Sequence, residues 1–229
     1  MNHLAQQLLG LLDLRQVPLA VSFVDEPPAG VPRIDAAAPS GCSYWKLAAD
    51  GRVFYTAASD HFGCPVGAHT HGVELPATQQ AELTGLMTTM IELGYLRESE
   101  IAGIPRRTAP FRYAVYAPWD LSPCEPDVIL VRGNTRQVML LTEAARAAGV
   151  GDTGQLMGRP TYSMIPAVMD AGQVAASLGC IGNRVYTGLG DDELFAAIPG
   201  PRAAQVIRQL HTILNANRQL EAYHRQRAS

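Results

Sequence analysis

The stretch "SDHFGCPVGAHTHG", residues 59–72, concentrates side chains that can bind metals, namely Asp60, His61, Cys64, His69 and His71. Thiolates and imidazoles are the usual ligands of zinc, copper and iron–sulfur centres. The chain has four cysteines, and none of the others lies close enough to Cys64 to form the C-x2-C pair of a zinc ribbon or a ferredoxin. A site at Cys64 therefore has to be completed by residues from other parts of the chain.

Three of the four cysteines, Cys42, Cys64 and Cys180, occur in turn-like or cap-like contexts. Cys42 follows Ser40, a candidate helix N-cap, where free backbone N–H groups favour thiolate over thiol. The other two stand between glycines, in "GCPVG" and "LGCIG", with Gly63 and Gly179 immediately before them. Glycine lets backbone N–H groups approach a charged ligand closely, as the sulfur atoms of iron–sulfur centres require.

These contexts predict a metalloprotein in which Cys42, Cys64 and Cys180 converge on an iron–sulfur cluster, [4Fe–4S] in the first instance. Three cysteines leave one iron for another ligand, and the candidates are His61, His69, His71, Cys124 and an external small molecule. Arg184 could neutralise an anionic cluster or clamp a substrate carboxylate, or it could form an ordinary ion pair. Cys124, between prolines in "LSPCEPD", fits a bystander better than a ligand.

Three alternatives use the same residues. The centre could instead be haem, zinc or copper, with His69 or His71 as co-ligand. A metal-free enzyme would use Cys64 or Cys180 as nucleophile near His61. A small-molecule binding module would keep the cysteines only as buried packing residues, the commonest role of a free cysteine. The pattern indicates a site rather than a reaction, so enzymatic activity is left open.

The composition excludes several classes of function. A net charge of −3 gives no electrostatic reason to expect nucleic acid or an anionic membrane as partner. No apolar run reaches the eighteen or so residues that a membrane span needs. The N-terminus lacks the features of a signal peptide, so we expect a cytoplasmic protein with reduced thiols. A small-molecule ligand or an electron donor is the expected partner, and a homodimer through the C-terminal helix is compatible with the pattern.

The hydrophobic patterning predicts strands interleaved with helices. The predicted strands cover residues 17–24, 52–57, 112–118, 127–133, 173–179 and 193–199. The predicted helices cover residues 1–14, 39–51, 77–96, 135–149, 161–171 with an interruption at Pro166, and about 201–225. Because the alternation is irregular, we expect an α/β or α+β fold, with a mixed sheet of about six strands and helices on its faces. The whole chain, 1–229, reads as a single domain.

Four segments carry a resemblance to a known family: "GCSYWKLAADGRVFYT", "HFGCPVGAHTHG", "PDVILVRGNTRQVMLL" and "SLGCIGNRVYTGLGDDELFAAIPG". In this order, from about residue 10 to 215, they resemble the bacterial and archaeal family named domain of unknown function 169. The resemblance implies pattern positions at Cys42, at Cys64 to Gly67 and at Cys180 to Arg184, and none at Cys124. The family is common in anaerobes, which is compatible with an oxygen-sensitive cofactor.

Overall fold

One antiparallel sheet organises the computed structural model, which describes residues 3–151 and 160–228. Its strands are β1 (Leu19–Val24), β2 (Phe54–Ala57), β3 (Tyr113–Pro118), β4 (Val128–Asn134), β5 (Ala175–Ser177) and β6 (Glu193–Pro199). They lie side by side in the order β2-β3-β1-β4-β6-β5. Every pairing between these strands is antiparallel, and the parallel pairing found in the described residues is an isolated bridge between Arg33 and Tyr55.

Nine α-helices are found in the described part of the chain. They are α1 (His3–Leu12), α2 (Gly41–Ala49), α3 (Pro65–Thr70), α4 (Ala77–Glu92), α5 (Glu98–Ile101), α6 (Thr135–Ala147), α7 (Met164–Ala171), α8 (Ile181–Thr187) and α9 (Ala203–Ala228). Six strands with helices packed against the sheet confirm the predicted fold class and strand number. The sheet is antiparallel throughout rather than mixed, which makes the fold α+β. None of these helices combines the length and apolar character that crossing a bilayer would require.

Alternating burial along the central strands divides the core into two clusters. In β4, Ile129 and Val131 point into one cluster, whereas Val128 and Leu130 point into the other. The first cluster is covered by α1, α6 and α9, and we call this side the aliphatic face because Trp119 is the one aromatic residue of its described buried set. The second is covered by α2 and α7, and we call it the cavity face. A strand buried on both sides explains the apolar run "VILV".

The predicted elements are confirmed in most places and wrong in two. Pro166 does not interrupt a helix, because it is the third residue of α7, where the first-turn N–H has no intrahelical acceptor to lose. The strand predicted for residues 173–179 ends at Ser177, since the backbone turns at Gly179, where φ is +79°. That turn carries Cys180 away from the sheet.

Helix α4 forms where its apolar spacing predicts it, but its apolar side is not packed into the core. Leu83 is its one buried residue, while Leu86 and Ile91 are more than a third exposed, at 43% and 37%. A helix with an apolar stripe normally buries that stripe against another element. Here the stripe of α4 faces hollow space beside the cavity face.

Candidate functional site

Cys42, Cys64 and Cys180 line one cavity of about 400 Å³, although they come from distant parts of the chain. The volume lies in the range that small-molecule and cofactor sites occupy. The residues around the three thiols are Pro39, Ser40, Gly63, Pro65, Val66, Gly67, Thr161, Tyr162, Gly182 and Asn183. Another part of the wall comes from α4 and the segment that follows it, and it contains Glu82 together with the apolar or aromatic residues Leu86, Met87, Met90, Tyr95, Leu96 and Ile104.

Each of the three cysteines stands at the start of a helix. Cys42 is the second residue of α2, and its backbone N–H donates to the Ser40 hydroxyl, which caps the helix as predicted. Cys64 is the N-cap residue of α3, and Cys180 is the N-cap residue of α8. The first N–H groups of a helix have no intrahelical acceptors. Two backbone groups at these helix starts already have acceptors, since the N–H of Cys42 donates to Ser40 and that of Cys180 donates to Thr161, and Pro65 at the start of α3 has no N–H.

The glycines near the cysteines act mainly by providing space. A Cβ atom at Gly67 would lie 2.9 Å from Sγ of Cys64, closer than such atoms approach. At Gly179 the backbone has a positive φ, which a side chain would strain, and a Cβ there would also lie 2.6 Å from Leu189. Gly67 therefore leaves room for the Cys64 thiol and Gly179 for Leu189, a spatial role that differs from the backbone contacts with a ligand that the sequence interpretation assigns to the glycines.

The protonation of Cys42 differs from the prediction made from its position. Burial raises the pKa of the Cys42 thiol, and the neighbouring Cys180 and Cys64 raise it further. The Asn183 amide and the Ser40 hydroxyl act in the opposite direction but do not cancel the effect of burial. Cys42 is thus a neutral thiol in the metal-free protein, and the predicted thiolate is wrong there. A bound metal ion would displace the proton, because coordination deprotonates a thiol.

Ser40 links two of the cysteines. Besides capping α2, its hydroxyl oxygen lies 3.9 Å from Sγ of Cys64, which donates weakly to it. On the third cysteine, the backbone N–H of Cys180 donates to Oγ1 of Thr161 at 2.7 Å. These contacts fix the backbone from which the sulfur atoms enter the cavity.

His61 and His71 do not reach this cavity. Both are buried, with exposures of 1% and 0%, and Tyr162 lies between His71 and the cavity, its ring centroid 4.1 Å from that of His71. Burial lowers the pKa of His61 to about 4 and the pKa of His71 well below its usual value. Both imidazoles are therefore neutral near pH 7, in an aromatic cluster that also contains Tyr116.

His69 lies on the other side of α3 from His71, as expected for residues two apart in a helix. It lines a second cavity, of about 250 Å³, between α3 and α4. Val66, Met87, Ile104 and Pro160 border both cavities. None of the three candidate histidine ligands is thus part of the described wall of the cysteine cavity.

Arg184 and Cys124 also lie away from the described cavity wall. The Arg184 guanidinium donates to the backbone oxygens of Leu178 and Gly190 and lies 3.8 Å from Asp191. Arg184 therefore connects the chain segments on either side of α8. This is a structural role, which differs from the predicted neutralisation of a cluster or binding of a substrate carboxylate. Cys124 lies in the loop after β3, where its carbonyl accepts from the Ser122 hydroxyl.

The sequence interpretation missed Asn183 and the wall formed by α4. Asn183 is 1% exposed and lines the cavity, and both polar atoms of its amide lack a hydrogen-bond partner among the described residues. Its place three residues after Cys180, on the first turn of α8, was a signal that could have been used. The apolar periodicity of α4 could not show whether its apolar side packs into the core or lines a cavity.

The described side chains around this cavity do not form a binding site for a single metal ion. In residues 3–151 and 160–228, no group of three His, Cys, Asp or Glu side chains lies close enough to hold one ion. The three thiols thus surround a cavity rather than a point. All four cysteines are free thiols, without a disulfide between them.

Comparison with known proteins identifies the family and no individual relative. The model of the family DUF169, described as "Uncharacterised ArCR", matches residues 7–209, a range that includes the whole cavity wall. No curated protein and no solved structure matches the chain. With more than half of its length matched, the chain belongs to the DUF169 family.

Proposed function

We propose that the protein binds an iron–sulfur cluster, most simply [4Fe–4S], through Cys42, Cys64 and Cys180. The observation that carries the proposal is the placement of these three thiols around one cavity of about 400 Å³. Cysteine thiolates are the standard ligands of such clusters. Three cysteines far apart in sequence have no need to meet if each is only a small apolar residue of the core.

The placement of the thiols around a cavity, without a group of three donors for one ion in the described residues, supports a cluster over a single zinc or copper ion. Mononuclear sites need three or four donors within one coordination sphere of about 2.0–2.3 Å radius. The described donors do not meet that condition, whereas they do line a larger space. In a cluster each cysteine binds a different iron, so its ligands surround a volume.

The fourth iron would be free to bind a ligand from outside the protein. The described cavity wall does not include any of the protein side chains predicted as the fourth ligand, which were His61, His69, His71 and Cys124. A cluster with an open iron supplies one-electron transfer or Lewis-acid binding of a small molecule. The Ser40 hydroxyl, which lies 3.9 Å from Sγ of Cys64, is a hydrogen-bonding group beside one of the sulfur atoms, and such groups tune the potential of a bound cluster.

The free thiols fit a reducing compartment, and we place the protein in the cytoplasm on that basis. An electron donor is the partner that a redox role would require. The Ser40 hydroxyl and the Asn183 amide, both from residues that line the cavity, would orient a small molecule that binds beside the cluster.

Anaerobic reconstitution with iron and sulfide tests the proposal. We expect iron incorporation in the native chain and its loss in Cys42→Ser, Cys64→Ser and Cys180→Ser, each measured separately. Cys124→Ser is the matched control, because Cys124 is a free thiol in a loop outside the cavity wall, and it should load like the native protein. Equal iron content in the native protein and all four variants would contradict the assignment.

A further inference from the structure

The strongest unexplained feature of the cavity is the Asn183 amide. Neither its oxygen nor its nitrogen has a hydrogen-bond partner of normal geometry in the described chain, although the side chain is 1% exposed and lies close enough to the Cys42 thiol to lower the pKa of that thiol. Buried side-chain amides in folded proteins are nearly always hydrogen-bonded. An amide left open on both atoms, at the wall of a cavity, therefore points to a partner that enters the cavity.

The wall opposite Asn183 shows what the rest of that partner is like. Leu86, Met87 and Met90 of α4 line the hollow with apolar side chains, and Ile104 continues this surface, while Glu82 is the charged residue that α4 adds to the wall. In the described part of the chain, these side chains are not buried against another element, since Leu83 is the one buried residue of α4. Apolar walls with a few fixed polar groups are typical of sites for small organic ligands.

We propose that this cavity binds a small organic molecule with an apolar body and a carboxamide, lactam or similar group that offers one donor beside one acceptor. Asn183 would hold that group through a pair of hydrogen bonds, oxygen to N–H and nitrogen to C=O. The apolar body would lie against Leu86, Met87 and Met90. This inference rests on the proposed function in one respect, since it names the ligand that would approach the open iron.

The position of Asn183 brings the bound group close to the thiols. The amide lies near enough to Cys42 to influence its pKa, and Gly182 and Cys180 precede it in the same wall. A molecule anchored at Asn183 therefore lies beside the three cysteines rather than in the second cavity. The anchor selects for a donor–acceptor pair, because a ligand with an acceptor alone leaves the Asn183 oxygen unpaired.

Benzamide and acetophenone provide a matched pair of probes, since they have similar shapes but only benzamide has an N–H donor. Binding to metal-free, reduced protein is measured by titration in ligand-detected NMR. We expect benzamide to bind about tenfold more tightly than acetophenone, as expected for one satisfied buried hydrogen bond. In Asn183→Leu that preference should disappear while acetophenone still binds, and Met90→Trp, which fills the cavity, should weaken both probes.

A second readout needs no variant. In uniformly nitrogen-15-labelled protein, the side-chain NH2 resonances of Asn183 should shift on addition of either probe, because both carbonyl groups accept from that NH2, and half of the full shift should need about tenfold less benzamide than acetophenone. Equal affinity of the two probes, a preference retained in Asn183→Leu, or absence of binding by benzamide would each overturn the inference. The assay contains no iron, so its failure is separate from failure of cluster binding, which the reconstitution experiment measures.

Discussion

The two faces of the sheet are built on different principles. On the aliphatic face, Leu8 of α1, Leu141 of α6 and Leu210 of α9 are completely buried and meet apolar residues of the strands. On the cavity face the sheet meets an aromatic cluster that includes Tyr44, Trp45, Phe54, Tyr116 and Tyr162. Close packing of aliphatic side chains leaves little free volume, whereas the second face has a large hollow at its outer side.

Buried polar atoms without a partner in the described chain occur on both faces, including Nε1 of Trp119 on the aliphatic face, but the buried imidazoles and the buried side-chain amide lie on the cavity face. The cavity face buries His61, His71 and Asn183, and each has at least one polar atom without a partner in the described chain. An unpaired buried polar atom costs about 1–3 kcal/mol, so this side of the molecule gives up stability. The difference indicates that the aliphatic face stabilises the fold, which allows the opposite face to carry a site.

The largest effect should follow from a truncation on the aliphatic face. Leu141→Ala removes a side chain with 0% exposure and should lower the free energy of unfolding by about 2–5 kcal/mol, because it leaves a cavity in a packed core. Met90→Ala, at the cavity wall, should change it by about 0.5 kcal/mol or less, since one side of Met90 already faces hollow space. Urea unfolding measures both, and equal losses would remove the distinction between the faces.

The second largest effect should be a loss of unfolding free energy in acid, caused by the buried histidines of the cavity face. Burial lowers the pKa of His61 to about 4 from an unfolded value of 6.5. Between these pH values the unfolded chain binds a proton that the folded chain does not, so the free energy of unfolding falls as the pH is lowered. The expected loss is about 3 kcal/mol from His61, and His71 adds to it in the same direction.

The acid effect has a clear control. His61→Gln should make the dependence of the unfolding free energy on pH between 6.5 and 4 less steep without removing it, because His71 still contributes, and His211→Gln, at an exposed position of α9, is the surface control. Urea unfolding at several pH values gives the slope for each variant. A slope in His61→Gln as steep as in the native protein would show that other groups cause the loss.

Tyr116 and Tyr162 offer a smaller and more specific test of the cavity face. Their hydroxyl groups lie 2.6 Å apart in the buried cluster. Removing either hydroxyl with Phe should cost about 1–3 kcal/mol, because the other is left unpaired, and the double variant should cost less than the sum. A double-mutant cycle by thermal or urea unfolding measures the coupling, and additive losses would mean that the two hydroxyls do not depend on each other.

The smallest effect compares one helix cap on each face. Ser40 caps α2 beside the cavity, and Asn134 caps α6 on the aliphatic face, where its side chain accepts from the Gln137 backbone. Ser40→Ala and Asn134→Ala should each cost about 1 kcal/mol. Iron loading should fall only in Ser40→Ala, because that hydroxyl also contacts Sγ of Cys64. Equal iron loading in both variants would limit Ser40 to a role in stability.

The longer elements of this fold follow from local sequence, whereas the short helices α3, α5 and α8 were not predicted. The apolar run of β4 and the cap at Ser40 are short-range signals, and the structure confirms both. The order of the strands, and hence the wholly antiparallel sheet, depends on pairings between residues far apart. Pro166 shows the limit of a local rule, because its effect depends on which turn of the helix it occupies.

The sequence predicted which cysteines line the candidate site, but it did not predict the residues around them. Cap-like and glycine-flanked contexts singled out Cys42, Cys64 and Cys180, which do line one cavity. The neighbouring histidines in "GAHTHG" attracted the same interpretation, but the local helix directs His69 and His71 to different sides. The role of Asn183 depends on which groups lie across the cavity, and this is information that only the assembled fold contains.

Iron and acid-labile sulfide, measured together on protein reconstituted and kept without oxygen, test the central claim most directly. If the three thiols at the cavity hold a [4Fe–4S] cluster, the chain should contain about four iron and about four sulfide per molecule and absorb visible light. A colourless protein without iron or sulfide after that treatment would contradict the proposal.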